Sequence, residues 1–381
     1  MNAFIDNTRL SEDGPKKTAL VILNFGGPTK KEEVQPFLFE LFDDPDVIQL
    51  PLKSAALRRK LAQTISSRRA PKVIPQYESI GFSPIVPTTI QQIEALAAAL
   101  GPGAPKIYTG MRYTAPTIPA MVQDLARDRP DRVVALALYP HYSDSTTGSS
   151  FNAFARALKD AGLGRLPVRY VPAFYDHPRY LSALRSLIVE GIQKLSDPSR
   201  AHLIFSAHGL PSSYYRGGDP YPNQVQETVR LVMRELAWNS SYALAFQSKV
   251  GPVRWLEPST EQEIHRVAAQ GTKEILVVPI AFVSDHIETL YEIDVTFAEF
   301  AQHHGAKLHR TRALDLHPEF IACLREVIEG AIADDTYRGL GAHRCVRCLL
   351  PRPHEHRMRS RCMDCGHATP EYLLRLPPVR E

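Results

Sequence analysis

The chain has 381 residues, 44% hydrophobic and 23% charged, with a formal net charge of +4. These values are close to those of soluble globular proteins, suffice for a core in each of two domains plus an appendage, and do not demand a nucleic-acid partner. Residues 1–17 are polar, with no secretory-type apolar stretch, and no apolar run reaches the roughly 18 residues of a membrane span, so a cytoplasmic protein is expected.

Eight segments read as strands: 19–25, 106–111, 133–139, 168–173, 202–206, 242–247, 274–280 and 307–310. Runs such as "RVVALALYP" and "EILVVPIAF" show no alternation, as expected of strands buried on both faces. Helical patterns fall between or after them, over 89–100, 151–161, 180–195, 224–236, 259–269 and 318–333. The alternation predicts parallel sheets built from βαβ units. Eight strands would suit a closed barrel, but the helix lengths and a long insertion over 35–88 predict two open, Rossmann-like, four-stranded sheets. A composition break at "YDHPR" (175–179) divides domain 17–175 from domain 176–314. A helix within 315–336 is expected to pack back on the first domain, and 339–381 to form a small Cys-rich extension.

Open α/β sheets bind ligands at the carboxyl ends of their strands. Those positions read "NFGGP" (24–28), "TGMRY" (109–113), "YPHYSDSTTGSS" (139–150), "SAHGLP" (206–211), "YYRGGDPY" (214–221), "FQSKVGPVRWLEPST" (246–260) and "IAFVSDHIETLYEID" (280–294). Polar, aromatic and glycine residues thus gather on one edge, suggesting a cleft for a flat, aromatic or anionic ligand. The Gly-Gly-Pro turn lacks the spacing of a dinucleotide fingerprint. "STTGSS" reads equally as an anion-binding helix start or as ordinary capping. His208, just past a buried strand, reads as structural or functional. Asp285, Glu288 and Glu292 fall at i, i+3 and i+7, on one helical face beside His286. Such a stripe would be relieved by a cation or pass protons; acids at a helix start, in capping-box spacing, are the alternative.

At these residues the chain resembles the ferrochelatase family. "SAHGLP" with "GGDPY", "FQSKVGPVRWLEPST" and "PIAFVSDHIETLYEID" are similar to its three signature stretches, in order, and "LNFGGP", "QYESIGFSPI", "GMRY" and the "STTGSS" segment match its first half. The similarity runs over about residues 19–333. It implies two Rossmann-like domains around a porphyrin cleft and insertion of Fe2+, a substrate, into protoporphyrin IX to give protohaem. It also implies that His208 is the active-site histidine and Glu288 its acidic partner, together the iron ligands, with Asp285 and Glu292 carrying protons or iron onward. Imidazole and carboxylate suit ferrous iron. Tyr77, Arg112, Tyr113, Trp255 and His286 are the implied porphyrin-side residues, with Arg112 pairing a propionate or else forming a surface salt bridge. A coproporphyrin-type or other tetrapyrrole chelatase, and a non-catalytic haem or metal sensor, are the competing readings.

Cys345, Cys348, Cys362 and Cys365 read C-x2-C-x13-C-x2-C, a spacing that favours one zinc ion. The family instead implies a 2Fe-2S cluster. In its common version a fourth ligand precedes "STTGSS", where this chain has Asp144. Cys323 lies on an apolar helical face and reads as core. Arg344, Arg347, Arg352, Arg357, Arg359 and Arg361 in the tail read as a solvated surface rather than a nucleic-acid site. Phe37, Leu38, Leu41, Phe42, Leu50 and Leu52 precede basic Arg58, Arg59 and Lys60. They read either as an amphipathic packed helix or, by resemblance, as a cleft lip in peripheral contact with membrane. A monomer or a homodimer is compatible with all of this.

Overall fold

The computed structural model describes residues 17–48 and 54–333. Its first half runs β1 (Thr18–Asn24), α1 (Lys31–Asp43), α2 (Ala55–Ser79), α3 (Ile85–Leu100), β2 (Lys106–Met111), α4 (Ile118–Asp128), β3 (Arg132–Ala137), α5 (Ser149–Asp160) and β4 (Val168–Val171). The second half runs α6 (Pro178–Ile192), β5 (His202–His208), α7 (Ser212–Arg216), α8 (Tyr221–Glu235), β6 (Tyr242–Gln247) and α9 (Thr260–Ala269). It continues with β7 (Glu274–Pro279), α10 (Ile287–Leu290), α11 (Ala298–His303), β8 (Lys307–Arg310) and α12 (Pro318–Ala333). Among the described residues the strands form two parallel four-stranded sheets, ordered β2-β1-β3-β4 and β6-β5-β7-β8. Two open sheets, rather than a barrel, are what the sequence predicts. Three strands keep their predicted bounds; β3 and β4 stop two residues early, and β5 extends by two to include His208.

Both sheets share one connectivity without any sequence repeat. In each, the chain goes outward one way from the first strand and then returns to the other side, so a topological switch point lies between β1 and β3 and again between β5 and β7. Loops leaving adjacent strands diverge there and open a crevice at their carboxyl ends. The continuous apolar runs explain the rest: Leu20, Val21 and Ile22 of β1 and Leu203, Ile204 and Phe205 of β5 are all essentially inaccessible, because helices cover both faces.

The largest apolar cluster does not stop at a domain boundary. It includes Leu20 and Leu136 of the first sheet, Leu203 and Leu276 of the second, and Phe320, Cys323 and Leu324 of α12. Helix α12 contacts α3, α6, β3 and β4, and the buried Arg169 guanidinium donates to the Ala331 carbonyl at 2.8 Å. Cys323 is fully buried, as its apolar setting implied. Helices α1 and α2, the insertion after β1, pack together over Tyr77 and Tyr113. Phe37, Leu38 and Phe42 are buried in that cluster and Leu41 packs partly against it, which is the packing expected of an amphipathic helix. Leu50 and Leu52 lie outside the described residues.

Because one core spans both sheets, Phe320→Ala should destabilise the protein by about 3–5 kcal/mol, the usual cost of such a cavity. Urea unfolding followed by circular dichroism and by the fluorescence of Trp238 and Trp255, which both lie in the second half, should give coincident midpoints that shift together. Separated midpoints would mean that the halves have independent cores.

Candidate active site

His208 is the last residue of β5, and Glu288 follows the neighbouring strand β7 on short helix α10. The second switch point thus brings together residues 80 positions apart: His208 Nδ1 lies 2.7 Å from Glu288 Oε2. An ionised carboxylate only accepts, so Nδ1 carries the hydrogen and neutral His208 presents a bare Nε2. The imidazole is 42% exposed and the carboxylate 25%, so the pair fronts an opening rather than being sealed in the core. Burial opposes charge on His208, but Glu288 outweighs it and raises the imidazole pKa above its ordinary value. Burial likewise opposes charge on Glu288, and His208 more than offsets it, holding the carboxylate below its usual range.

Neighbouring strand ends fix this pair from behind. Gln247, wholly buried at the end of β6, accepts from Ser206 Oγ at 2.6 Å and donates to the Glu288 carbonyl at 2.8 Å. The Gly209 amide donates to the Gln247 carbonyl, and a Cβ at Gly209 would lie 2.6 Å from that oxygen. Glycine after His208 is therefore a steric requirement. The Tyr221 hydroxyl donates to the His208 carbonyl at 3.0 Å. Trp255 packs beside Gly209, and its buried Nε1 has no partner among the described residues.

Ser248 was not singled out by the sequence, yet it joins two acids. It has a left-handed φ of 66°, rare for a residue with a side chain and a conformation often concentrated at functional sites. Its Oγ lies 2.9 Å from Glu288 Oε2 and 2.5 Å from Glu292 Oε2, while its amide donates to Glu292 Oε1 at 2.8 Å. One hydroxyl hydrogen cannot serve both carboxylates. Glu292 is the group that holds an additional proton more readily, because burial and then neighbouring Glu288 raise its pKa.

The predicted stripe of three acids on one helical face does not form. Helix α10 has only four residues and gives way to a π-helical turn over Glu292–Phe297, which breaks the 3.6-residue register. Asp285 precedes α10 and turns to Arg310 Nη1 at 2.7 Å and Thr289 Oγ1 at 2.8 Å. Its expected place beside Glu288 and Glu292 is thus corrected to an anchoring one. Nor do Asp285 and Glu288 form a capping box: His286 is the N-cap, reciprocally bonded with Thr289. His286 is 9% exposed, burial lowers its pKa, and its ring meets Phe282 edge-on.

Arg112 and Tyr113 also depart from expectation. Arg112 Nη2, Tyr113 Oη and Ser149 Oγ all converge on Asp44 Oδ2, at 2.6, 2.6 and 2.7 Å. Of the two readings of Arg112, propionate partner or salt bridge, the structure shows a salt bridge, half-buried rather than at the surface, and its acid, Asp44, is a residue the sequence reading missed. Tyr77 is 4% exposed in the α1–α2 cluster, against which Ile287 packs, and burial, then Glu288, raises its phenol pKa. Asp144 is bonded to Tyr142 at 3.1 Å, and burial, followed by Asp219, raises its pKa to about 7. No group of three or more metal-binding side chains is formed among the described residues, and Cys345, Cys348, Cys362 and Cys365 lie outside them.

Fold and site together define a two-sheet α/β protein with a histidine–carboxylate pair at a topological switch point. SirB from Bacillus subtilis, solved with Fe3+, is a fold relative, with TM-score 0.52, 10% identity, and coverage of 83% of this chain and 96% of SirB. The ferrochelatase family model matches residues 17–332, and the chain belongs to that family. The ferrochelatase of Geotalea daltonii is 48% identical over 82% of this chain and 98% of its own length. That of Synechocystis is 43% identical over 84% of this chain and 83% of its own.

Folding raises the His208 pKa, so His208 contributes stability below its unfolded value of about 6.5 and loses it as pH rises through the folded value. Folding lowers that of Glu288, so its contribution exists above an unfolded value of 4.5 and is lost as pH falls through the folded one. The stability lost on Glu288→Gln should therefore be greatest between pH 4.5 and 6.5 and diminish at high pH. Urea unfolding across pH checks this; a pH-independent difference would show that the pair is not an ion pair.

Proposed function

We propose that the protein inserts ferrous iron into protoporphyrin IX, forming protohaem at the His208–Glu288 pair. The supporting observation is the pair's geometry: Glu288 fixes Nδ1–H, leaving His208 Nε2 as the accessible lone pair. Insertion breaks two pyrrole N–H bonds, forms the iron–nitrogen bonds and releases two protons. Neutral imidazole, with its pKa held above the ordinary value, is a suitable proton acceptor. Glu288 and His208 Nε2 supply the oxygen and nitrogen donors for entering Fe2+; once the iron passes to the macrocycle nitrogens the freed Nε2 lone pair takes a pyrrole proton, and the Ser248 hydroxyl links Glu288 to Glu292 as a route by which protons leave. Trp255, beside Gly209, has a buried N–H without a partner among the described residues. Arg112 and Tyr113 shape the cleft through Asp44 instead of pairing directly with a propionate.

The tail cysteines are assigned a 2Fe-2S cluster, with zinc as the alternative that their spacing favours. Half-buried Asp144, beside Asp219 and bonded to Tyr142, offers no thiolate at the family's remaining ligand position. All four thiolates would come from Cys345, Cys348, Cys362 and Cys365. Iron, sulfide and zinc analysis of anaerobically purified protein should find two irons and two sulfides per chain; one zinc without sulfide would decide for the alternative. Peripheral membrane contact is assigned to α2, where Leu57 is 57% and Leu61 36% exposed beside Arg58, Arg59 and Lys60. No helix among the described residues is long and apolar enough to cross a membrane.

Anaerobic incubation with Fe2+ and protoporphyrin IX, following loss of porphyrin fluorescence and growth of the haem spectrum, should show multiple turnovers. His208→Ala should lower kcat by at least about a hundredfold, the scale of a lost acid–base group, while melting near the parent temperature. Full activity in that variant would remove His208 from the reaction. Turnover only with coproporphyrin would change the substrate, and stoichiometric binding without turnover would favour a sensor.

A further inference from the structure

We propose that Arg310 is a positioning residue for metal insertion, a single guanidinium that clamps both ends of the segment carrying Glu288 and Glu292. Arg310 ends β8, an edge strand of the second sheet, and its side chain is only 11% exposed. Its Nη1 donates to Asp285 Oδ1 at 2.7 Å. Its Nε and Nη2 donate to the two carboxylate oxygens of Asp294 at 2.8 and 2.7 Å. In sequence, Asp285 and Asp294 bracket His286, Glu288 and Glu292.

The segment between these anchors has little regular structure to stiffen it. It consists of a loop, four residues of α10 and a π-helical turn. Its position must therefore come largely from side-chain ties. On one side, Gln247 and Ser248 of the β6 edge hold the Glu288 carbonyl and the Glu288 and Glu292 carboxylates. On the other, Arg310 of the β8 edge holds Asp285 and Asp294. Two neighbouring ties reinforce this side: Thr289 Oγ1 donates to Asp285, and the Asp285 amide approaches Asp315 Oδ1 at 3.4 Å.

A guanidinium is planar, so its three donor nitrogens fix the directions of both carboxylates at once. Neither end of the segment can shift without breaking a charge-assisted bond. A lysine ammonium is a point donor; it can retain the charge, but it cannot reproduce the bidentate contact to Asp294 while reaching Asp285. Arg310 touches no reacting atom and acts through the placement of Glu288 against His208. The inference therefore rests on the proposed role of that pair.

The test compares Arg310→Lys, Arg310→Gln and Asp294→Asn with His208→Ala as a parallel control. Iron insertion is assayed well below each melting temperature, with kcat and the porphyrin KM determined separately. Arg310→Lys should recover most of the melting temperature lost in Arg310→Gln, yet keep a kcat about tenfold to a hundredfold below the parent, the scale expected when reacting groups are misplaced by about 1 Å, with KM little changed. Asp294→Asn should lower kcat in the same way, and combining it with Arg310→Gln should add little, because both remove one clamp. If Arg310→Gln does not fold, Asp294→Asn and Arg310→Lys carry the test. Parent-like kcat in folded Arg310→Lys and Asp294→Asn, with His208→Ala inactive, would overturn the clamp. An active His208→Ala would instead overturn the role of the pair on which it rests.

Discussion

The bond between His208 Nδ1 and Glu288 Oε2 joins the ends of two adjacent strands and sets the electrostatics of everything around it. Partly burying an imidazole and a carboxylate is unfavourable for each alone. Together they reverse each other's desolvation, so the histidine pKa rises and the glutamate pKa falls. The carboxylate also takes the Ser248 hydroxyl, which reduces the cost of its burial. The bond fixes one tautomer and so determines which imidazole nitrogen faces the opening.

That bond depends on the strand order. In a 2-1-3-4 sheet the loops after the first and third strands leave in opposite directions, and the crevice between them is the natural place for a ligand. His208 terminates one such strand and the Glu288 segment follows the other. Gln247, from the strand on the far side of β5, closes the arrangement by bonding to both Ser206 and the Glu288 backbone. Three strand ends thus hold one pair, and each is anchored in a sheet buried on both faces. Gly209 permits this convergence because no side chain fits between β5 and the Gln247 carbonyl.

Much of this was legible in the residues. Unalternated apolar runs are a direct consequence of two-sided burial, and they marked several of the eight strands, such as β3 and β7. His208 and Glu288 could be found by family resemblance, whereas local periodicity misplaced Asp285. A period of 3.6 assumes an unbroken α-helix, and the π-helical turn at Glu292–Phe297 invalidates that assumption. Ser248 was hidden for a different reason: its importance lies in a left-handed backbone and in contacts to residues 40 and 44 positions away. Asp44 was equally invisible, because it joins Arg112, Tyr113 and Ser149 only once α1 has packed against the first sheet.

The equivalent switch points of the two sheets have different chemical fates. At the first, Asn24 donates to Thr89 at 2.9 Å and accepts from the Phe25 amide at 2.8 Å. Nearby, Arg112 is neutralised by Asp44. These bonds fix the strand ends of that wall and leave no charged group free there, while the buried Thr109, Thr147 and Ser150 hydroxyls nearby have no partner among the described residues. At the second, the bonds are arranged so that each fixes a donor or acceptor while His208 Nε2 remains available. A site that must exchange a metal ion for two protons needs such an asymmetry. If both walls left polar groups unpaired, desolvation would oppose a hydrophobic macrocycle; if neither left a lone pair available, no group would receive a proton. The shared α12 core then keeps the two walls in register.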